Sequence, residues 1–280
     1  MPVAPSQSAH NATRQAVSIA RHEAKYVIPH ALLPKIRSFI APYCQPDPNC
    51  TGAPPEYVIT TMQLDTHDLS LHHAKDRESW NRFKLRVRTY GTDNSSPIFA
   101  EIKRKLQGMV VKSRARVPRD KWCADLVLDP KRKVDIPFRS DKEAVAFLEF
   151  LRLTREIGAV PTVLIRYIRE SYISVVDEYA RVTFDRNLLY QPTNSWEFWG
   201  SDKAWKPIDT SLFQNKLQSF SGHVMELKSL PNVPRWMIEM IRELDLVRTG
   251  HCKYSNALWI ESLFRATTDT PMYAEELMNP

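Results

Sequence analysis

Apolar and polar positions alternate with a period of two along several short segments of this chain, and in each the polar positions carry full charges. Arg21, Glu23 and Lys25 are spaced two apart, as are Lys84, Arg86 and Arg88. The pattern returns at Glu101, Lys103 and Lys105, at Lys112, Arg114 and Arg116, and at Glu226 and Lys228. Residues at i and i+2 of a β-strand share a face. Each segment therefore predicts a strand with one charged face and one apolar face. In FKLRVRTY, for example, Phe83, Leu85 and Val87 oppose the three cations. A single row of this kind is an ordinary solvated strand face. Repeated rows of mixed sign predict strands that face one another around a highly charged space, one that suits a polyanion and a divalent metal.

The remaining pattern supplies the other elements. Strands are expected at 19–28, 57–64, 83–90, 97–106, 109–117, 162–176, 179–185 and 222–228. The turn formers Gly91 to Ser96 join two of them in a hairpin. A 3.6-residue period predicts helices at 30–43, 140–158, 234–246 and 256–265. The clearest is 140–158: Ser140 and Glu143 fit a capping box, and Ala144, Phe147, Leu148 and Leu151 form its apolar stripe. Residues 67–81 are polar, and a short helix there stays open. Residues 1–18 are expected to be a flexible lead-in, 19–266 one domain, and 267–280 a tail. Many strands against few helices predict an α+β fold: an antiparallel tunnel or barrel with a charged interior and helices packed outside.

Composition narrows the partners. The chain has 280 residues, 43% of them hydrophobic, which is enough for a substantial core. The net charge of +7 and pI near 9.2 point to anionic partners. Four cysteines, Cys44, Cys50, Cys123 and Cys252, form no C-x-x-C pair, which argues against a structural zinc site. No signal-like apolar segment opens the chain and no run approaches a membrane span. A soluble, cytoplasmic protein with free thiols is expected. His72, His73 and Asp76 are expected on the surface rather than on a metal, since adjacent residues point apart. Trp196, Trp199 and Trp205 are expected to clamp a loop on the exterior rather than to stack a base. Asp185 either caps a turn or accepts from a tunnel arginine.

The ordered series RHEAKYVI, RFKLRVRTYG, IFAEIKRK, VVKSRARV, VLIRYIRESY, ARVTFD, HVMELKS and HCKYS resembles the VTC domain, the polyphosphate polymerase domain of the vacuolar transporter chaperone family within the triphosphate tunnel metalloenzymes. The resemblance spans Arg21 to Ser255. It implies ATP and inorganic polyphosphate or phosphate as partners and Mn²⁺ or Mg²⁺ as cofactor. It assigns phosphate contacts to Lys25, Arg86, Arg88, Lys103, Arg166, Arg181 and Lys253, with Lys112, Arg114 and Lys228 in the lining. It makes Glu226 a metal ligand, with Glu23 and Glu101 beside it. The SPX domain and membrane helices of the eukaryotic proteins are absent from this sequence, so it looks like the prokaryotic branch, with a membrane partner left open. Two alternatives keep the same lining: a tunnel triphosphatase with water as nucleophile, and a non-catalytic polyphosphate- or RNA-binding module. Nucleic acid is not expected, because the aromatics near the charged strands fall mostly on the opposite face.

Overall fold

The computed structural model describes residues 21–92, 95–106, 109–198, 204–208 and 222–268. The expected lead-in 1–18, the tail from 269 and Trp199 lie outside the described residues. The strands are β1 (His22–Pro29), β2 (Cys44–Pro46), β3 (Glu56–Asp65), β4 (Asn81–Tyr90), β5 (Ile98–Leu106), β6 (Met109–Val117), β7 (Val160–Ser174), β8 (Ala180–Pro192), β9 (Lys206–Pro207) and β10 (Gly222–Ser229). The helices are α1 (Leu33–Ile40), α2 (Ser70–Asp76), α3 (Ala124–Leu128), α4 (Asp141–Glu156), α5 (Arg235–Glu243) and α6 (Lys253–Thr268). The open segment 67–81 thus holds a short helix. The short pieces β2, β9 and α3 carry too few residues to show a period.

The long strands form one antiparallel sheet in the order β1-β10-β8-β7-β3-β4-β5-β6. Its hydrogen-bonded path is open, with β1 and β6 at the ends, so strand pairing does not close a barrel. The sheet nevertheless curls into a channel. Lys103 of β5 donates to Glu23 of β1 at 3.0 Å, although the two strands are six steps apart and a flat sheet would hold them about 30 Å apart.

The alternation seen in the sequence decides which face goes where. The outer face of β3 to β6 sends Met62, Leu85, Val87, Ala100, Ile102 and Ala115 against Phe147, Phe150 and Leu151 of α4 and Leu126 of α3. The outer face of β1, β8 and β10 packs Tyr26, Ile28, Val182, Phe184, Met225 and Leu227 against α1 and α5. Helix α4 starts at Ser140, whose hydroxyl accepts from the Glu143 amide, while the Glu143 carboxylate reaches back to the Arg139 amide. Its buried stripe is rotated from the expected one. Leu148 is 53% exposed, and Phe150 and Leu153 take the inward positions. Phe147, Phe150, Leu151 and Thr154 follow one another at helical spacing, so the buried stripe runs through them and Leu148 falls beside it.

The inner face is different. Helix α6 fills part of it, where Tyr254, Ala257 and Ile260 meet Ile59, Val163, Ile165, Tyr167, Tyr190 and Val224. The rest of the inner face is charged. Asp65, at the end of β3, anchors this arrangement. It is fully buried and accepts from the Tyr254 hydroxyl at 2.7 Å and from the amides of Leu71 and His72. His72 is therefore buried, not on the surface. It faces Asp76 at 3.1 Å and Ser255 at 3.3 Å, because α2 folds back onto α6. Among the described residues all four cysteines are free thiols.

Candidate active site

Cross-strand partners share a face, so the register identifies every residue that looks into the channel. Arg86 sits opposite Glu101 and Gln63, Arg88 opposite Thr61, and Lys84 opposite Lys103. Glu101 and Lys103 in turn sit opposite Arg114 and Lys112. On the other wall Lys25 faces Glu226 and Glu23 faces Lys228, while Thr183 and Arg181 extend the row onto β8. All of the expected strand residues but one are brought together in this way, and Lys253 joins them from α6.

The exception is Arg166. It pairs with Thr60, while its neighbours Tyr167 and Arg169 pair with Ile59 and Tyr57. Since Ile59 and Thr61 face the channel, Thr60 and Arg166 face away. The Arg166 guanidinium lies over the Trp205 ring, 4.3 Å from its centroid. Arg169 occupies the channel position instead. Two arginines three residues apart cannot share a strand face, and the alternation of Val163, Ile165 and Tyr167 points to Arg169. Trp196 packs in the outer core beside Trp122, so the described tryptophans serve the exterior as expected.

Arg169 clamps Asp185 through two bonds of 2.6 and 2.7 Å, and Lys253 donates to the same carboxylate at 2.6 Å. Asp185 therefore accepts from a tunnel arginine and is not a turn cap. Burial raises its pKa, but Arg169 and Lys253 outweigh that and bring it to about 2. Lys253 opens α6, and the segment before it closes the gap between the two walls. Lys25 donates to the His251 carbonyl at 2.9 Å, and Lys84 lies 3.3 Å from the Cys252 sulfur. Burial pushes the Cys252 thiol up, but Lys84 and Ser255 bring it down to about 6.

Glu101 does not suit the metal role expected of it. It is fully buried and bracketed by Arg86 at 2.6 Å, Lys112 at 2.7 Å and Arg114 at 3.3 Å. Its carboxylate is enclosed by three cations, which leave no open side for a metal ion. Burial drags Lys112 down to about 8 despite the attraction of Glu101. Arg88 is the counterpart. It is 9% exposed, and its Nε donates only weakly to the Thr61 hydroxyl at 3.3 Å. No carboxylate of the described residues lies within ion-pair distance of it.

Glu226 fits a divalent cation better. Among the described residues no cluster of three or more His, Cys, Asp or Glu side chains is placed to hold a metal alone. Mg²⁺ and Mn²⁺ do not need one, since they take one or two carboxylates and complete their shell with substrate phosphates and water. Glu226 lies 3.2 Å from Lys228 and 3.9 Å from Arg169, and Lys228 also reaches Glu23 at 3.8 Å. Burial raises the Glu226 pKa, and Lys228, Lys25, Arg169 and Lys253 together hold it well below the carboxylate range. Glu226 and Glu23 are thus ionised and adjacent, on the wall opposite Arg86 and Lys112.

The family model described as the VTC domain matches residues 20–261. No protein of curated function matches the chain. Among solved structures it is similar to the PH1819 protein of Pyrococcus horikoshii OT3, with a TM-score of 0.44 and 11% identity over 86% of this chain and 99% of that one. It is also similar to HpAC1 of Hippeastrum, for which a dominant triphosphatase activity is described, with a TM-score of 0.43 and 11% identity over 85% of this chain and 94% of that one. No helix among the described residues is long and apolar enough to cross a membrane. With a match that covers the charged strands and the α6 segment together, the chain belongs to the VTC-domain family.

Proposed function

We propose that this protein is a polyphosphate polymerase that moves the γ-phosphoryl group of ATP onto a growing phosphate chain. The observation that carries this reading is the state of the channel carboxylates. Glu23, Glu101, Asp185 and Glu226 all face cations, and all four have lowered pKa values in spite of burial. Strongly acidic, cation-held carboxylates are poor bases for activating water. A phosphate acceptor needs no such base, because its terminal oxygens are already anionic near pH 7.

In this reading Arg86, Arg88 and Arg169 grip the phosphates of ATP, and Lys25, Lys103, Lys112, Arg181, Lys228 and Lys253 hold donor and acceptor in line. An oxygen of the acceptor's terminal phosphate attacks the γ-phosphorus. The bond from that phosphorus to the bridging oxygen breaks, and ADP leaves with the electron pair. The protein's part is positioning and stabilisation of the equatorial oxygens. Mn²⁺ or Mg²⁺, held by Glu226 with Glu23, would neutralise charge on phosphate oxygens that otherwise repel one another. Partners are then ATP, phosphate and polyphosphate, and a cytoplasmic supply of ATP goes with the assignment.

Elongation of a short polyphosphate primer in the presence of ATP and Mn²⁺ tests the reading on a gel. The expected result is a ladder above the primer, with ADP formed in step. A primer that shortens while free phosphate accumulates would support the triphosphatase instead. Glu226→Gln is expected to raise the Mn²⁺ concentration needed for half-maximal rate by about tenfold or more. An unchanged metal titration would remove Glu226 from the metal role.

A further inference from the structure

One end of the channel is aromatic, against the expectation that the aromatics would lie on the other face. Tyr57 is the cross-strand partner of Arg169, Tyr90 of Ile59, and Phe99 of both Arg88 and Arg116. All three rings therefore share the charged face. They form a strip across β3, β4 and β5, with centroid spacings of 5.8 Å for Tyr57–Tyr90 and 5.5 Å for Tyr90–Phe99. The Arg114 guanidinium stacks on the end of the strip, 3.6 Å from the Phe99 centroid, and donates to the Tyr90 hydroxyl at 3.0 Å. The Arg114 side chain remains 37% exposed, and all three rings are half-buried.

A polyphosphate chain has no use for such a surface. The faces of aromatic rings are electronegative, and they favour cations and planar apolar groups over anions. A strip of rings capped by a stacked guanidinium is instead the chemistry that holds nucleobases. It starts one cross-strand step from Arg88, a buried cation without an ion pair among the described residues.

We propose that Tyr57, Tyr90, Phe99 and Arg114 form a nucleobase subsite, so that the nucleoside triphosphate enters base-last from this end with its phosphates running inward along Arg88 and Arg86. The inference rests on the reading of the channel as a nucleotide site and adds which end takes the donor. It also separates donor from product, because polyphosphate carries no base.

The test is calorimetric binding of ATP and of inorganic tripolyphosphate to the wild type and to Phe99→Leu, Tyr57→Leu and Phe99→Trp. In both leucine variants the affinity for ATP relative to tripolyphosphate is expected to fall about tenfold, and Phe99→Trp is expected to keep the wild-type ratio. If both ligands bind and the ratio does not move, the subsite is wrong and the channel reading stands. If the wild type binds neither ligand, the channel reading falls and takes the subsite with it.

Discussion

Arg88→Ala is expected to lower kcat/KM for ATP by about 10² to 10³-fold while the protein stays folded, with little change in its melting temperature. The separation of the two effects follows from how Arg88 is held. It is almost fully enclosed, it touches Thr61 at a long distance, and no described carboxylate pairs with it. A buried guanidinium kept charged in that setting lacks the anion it would normally require. Removing it breaks no ion pair among the described residues, frees only the long bond to Thr61, and removes a donor preorganised for a phosphate oxygen. Arg86 differs, because it holds the buried Glu101 at 2.6 Å. Arg86→Ala is expected to lose activity and stability together. Steady-state kinetics with thermal melts on both variants checks the contrast, and an Arg88→Ala protein with wild-type kcat/KM would remove this residue from the site.

The largest stability effect is expected at Asp185. Its carboxylate is 1% exposed and neutralises both Arg169 and Lys253. Asp185→Ala leaves two cations in a channel already crowded with positive charge, at a cost of about 3–5 kcal/mol. Urea unfolding at pH 7 measures it. Two signatures identify the cause. Tripolyphosphate should restore more stability to the variant than it adds to the wild type, because an anion in the channel replaces the missing charge. The pH dependence has a definite sign as well. The folded carboxyl is held down to about 2, below its value of about 3.9 in an unfolded chain. Its contribution is complete above the unfolded value and disappears as pH falls through about 2. The gap between wild type and variant should therefore be widest near neutrality and close at low pH. A gap that persists at pH 2 would point to lost packing instead of lost charge.

The charged rows were legible in the sequence because a strand repeats every two residues. Once the apolar partners Leu85, Val87, Val182, Phe184, Met225 and Leu227 are assigned to the core, the cations between them have only one place to go. The same rule places Asp185 inward with Arg181 and Thr183, since Val182 and Phe184 alternate with them. That signal was present, but a carboxylate on a strand does not announce its partners. Arg166 was misplaced for a related reason. The segment VLIRYIRES offers two arginines of opposite parity, and a register irregularity between Arg166 and Ile168 in the β7–β8 pairing blurs the pattern from one side. Only the register with β3, which is continuous from Glu56 to Gln63, decides between them.

What a carboxylate does was less legible than where it points. Glu101 and Glu226 both sit in a Glu-x-Lys row, yet Glu101 has Arg86 on one neighbouring strand and Lys112 and Arg114 on the other. Those neighbours are set by strand order, which no local spacing records. The same holds for the aromatic strip, whose members come from three strands and look ordinary one at a time. The curl that brings Lys103 of β5 to Glu23 of β1 is likewise a property of the whole sheet.

The most direct test of the polymerase assignment is a phosphorus balance by ³¹P NMR on the purified protein with ATP, a short polyphosphate primer and Mg²⁺, the ion being chelated before spectra are recorded. The account predicts that the signal of internal chain phosphates grows in proportion to ADP, with free phosphate near zero. Free phosphate rising one for one with ADP, with no growth of internal phosphates, would contradict it.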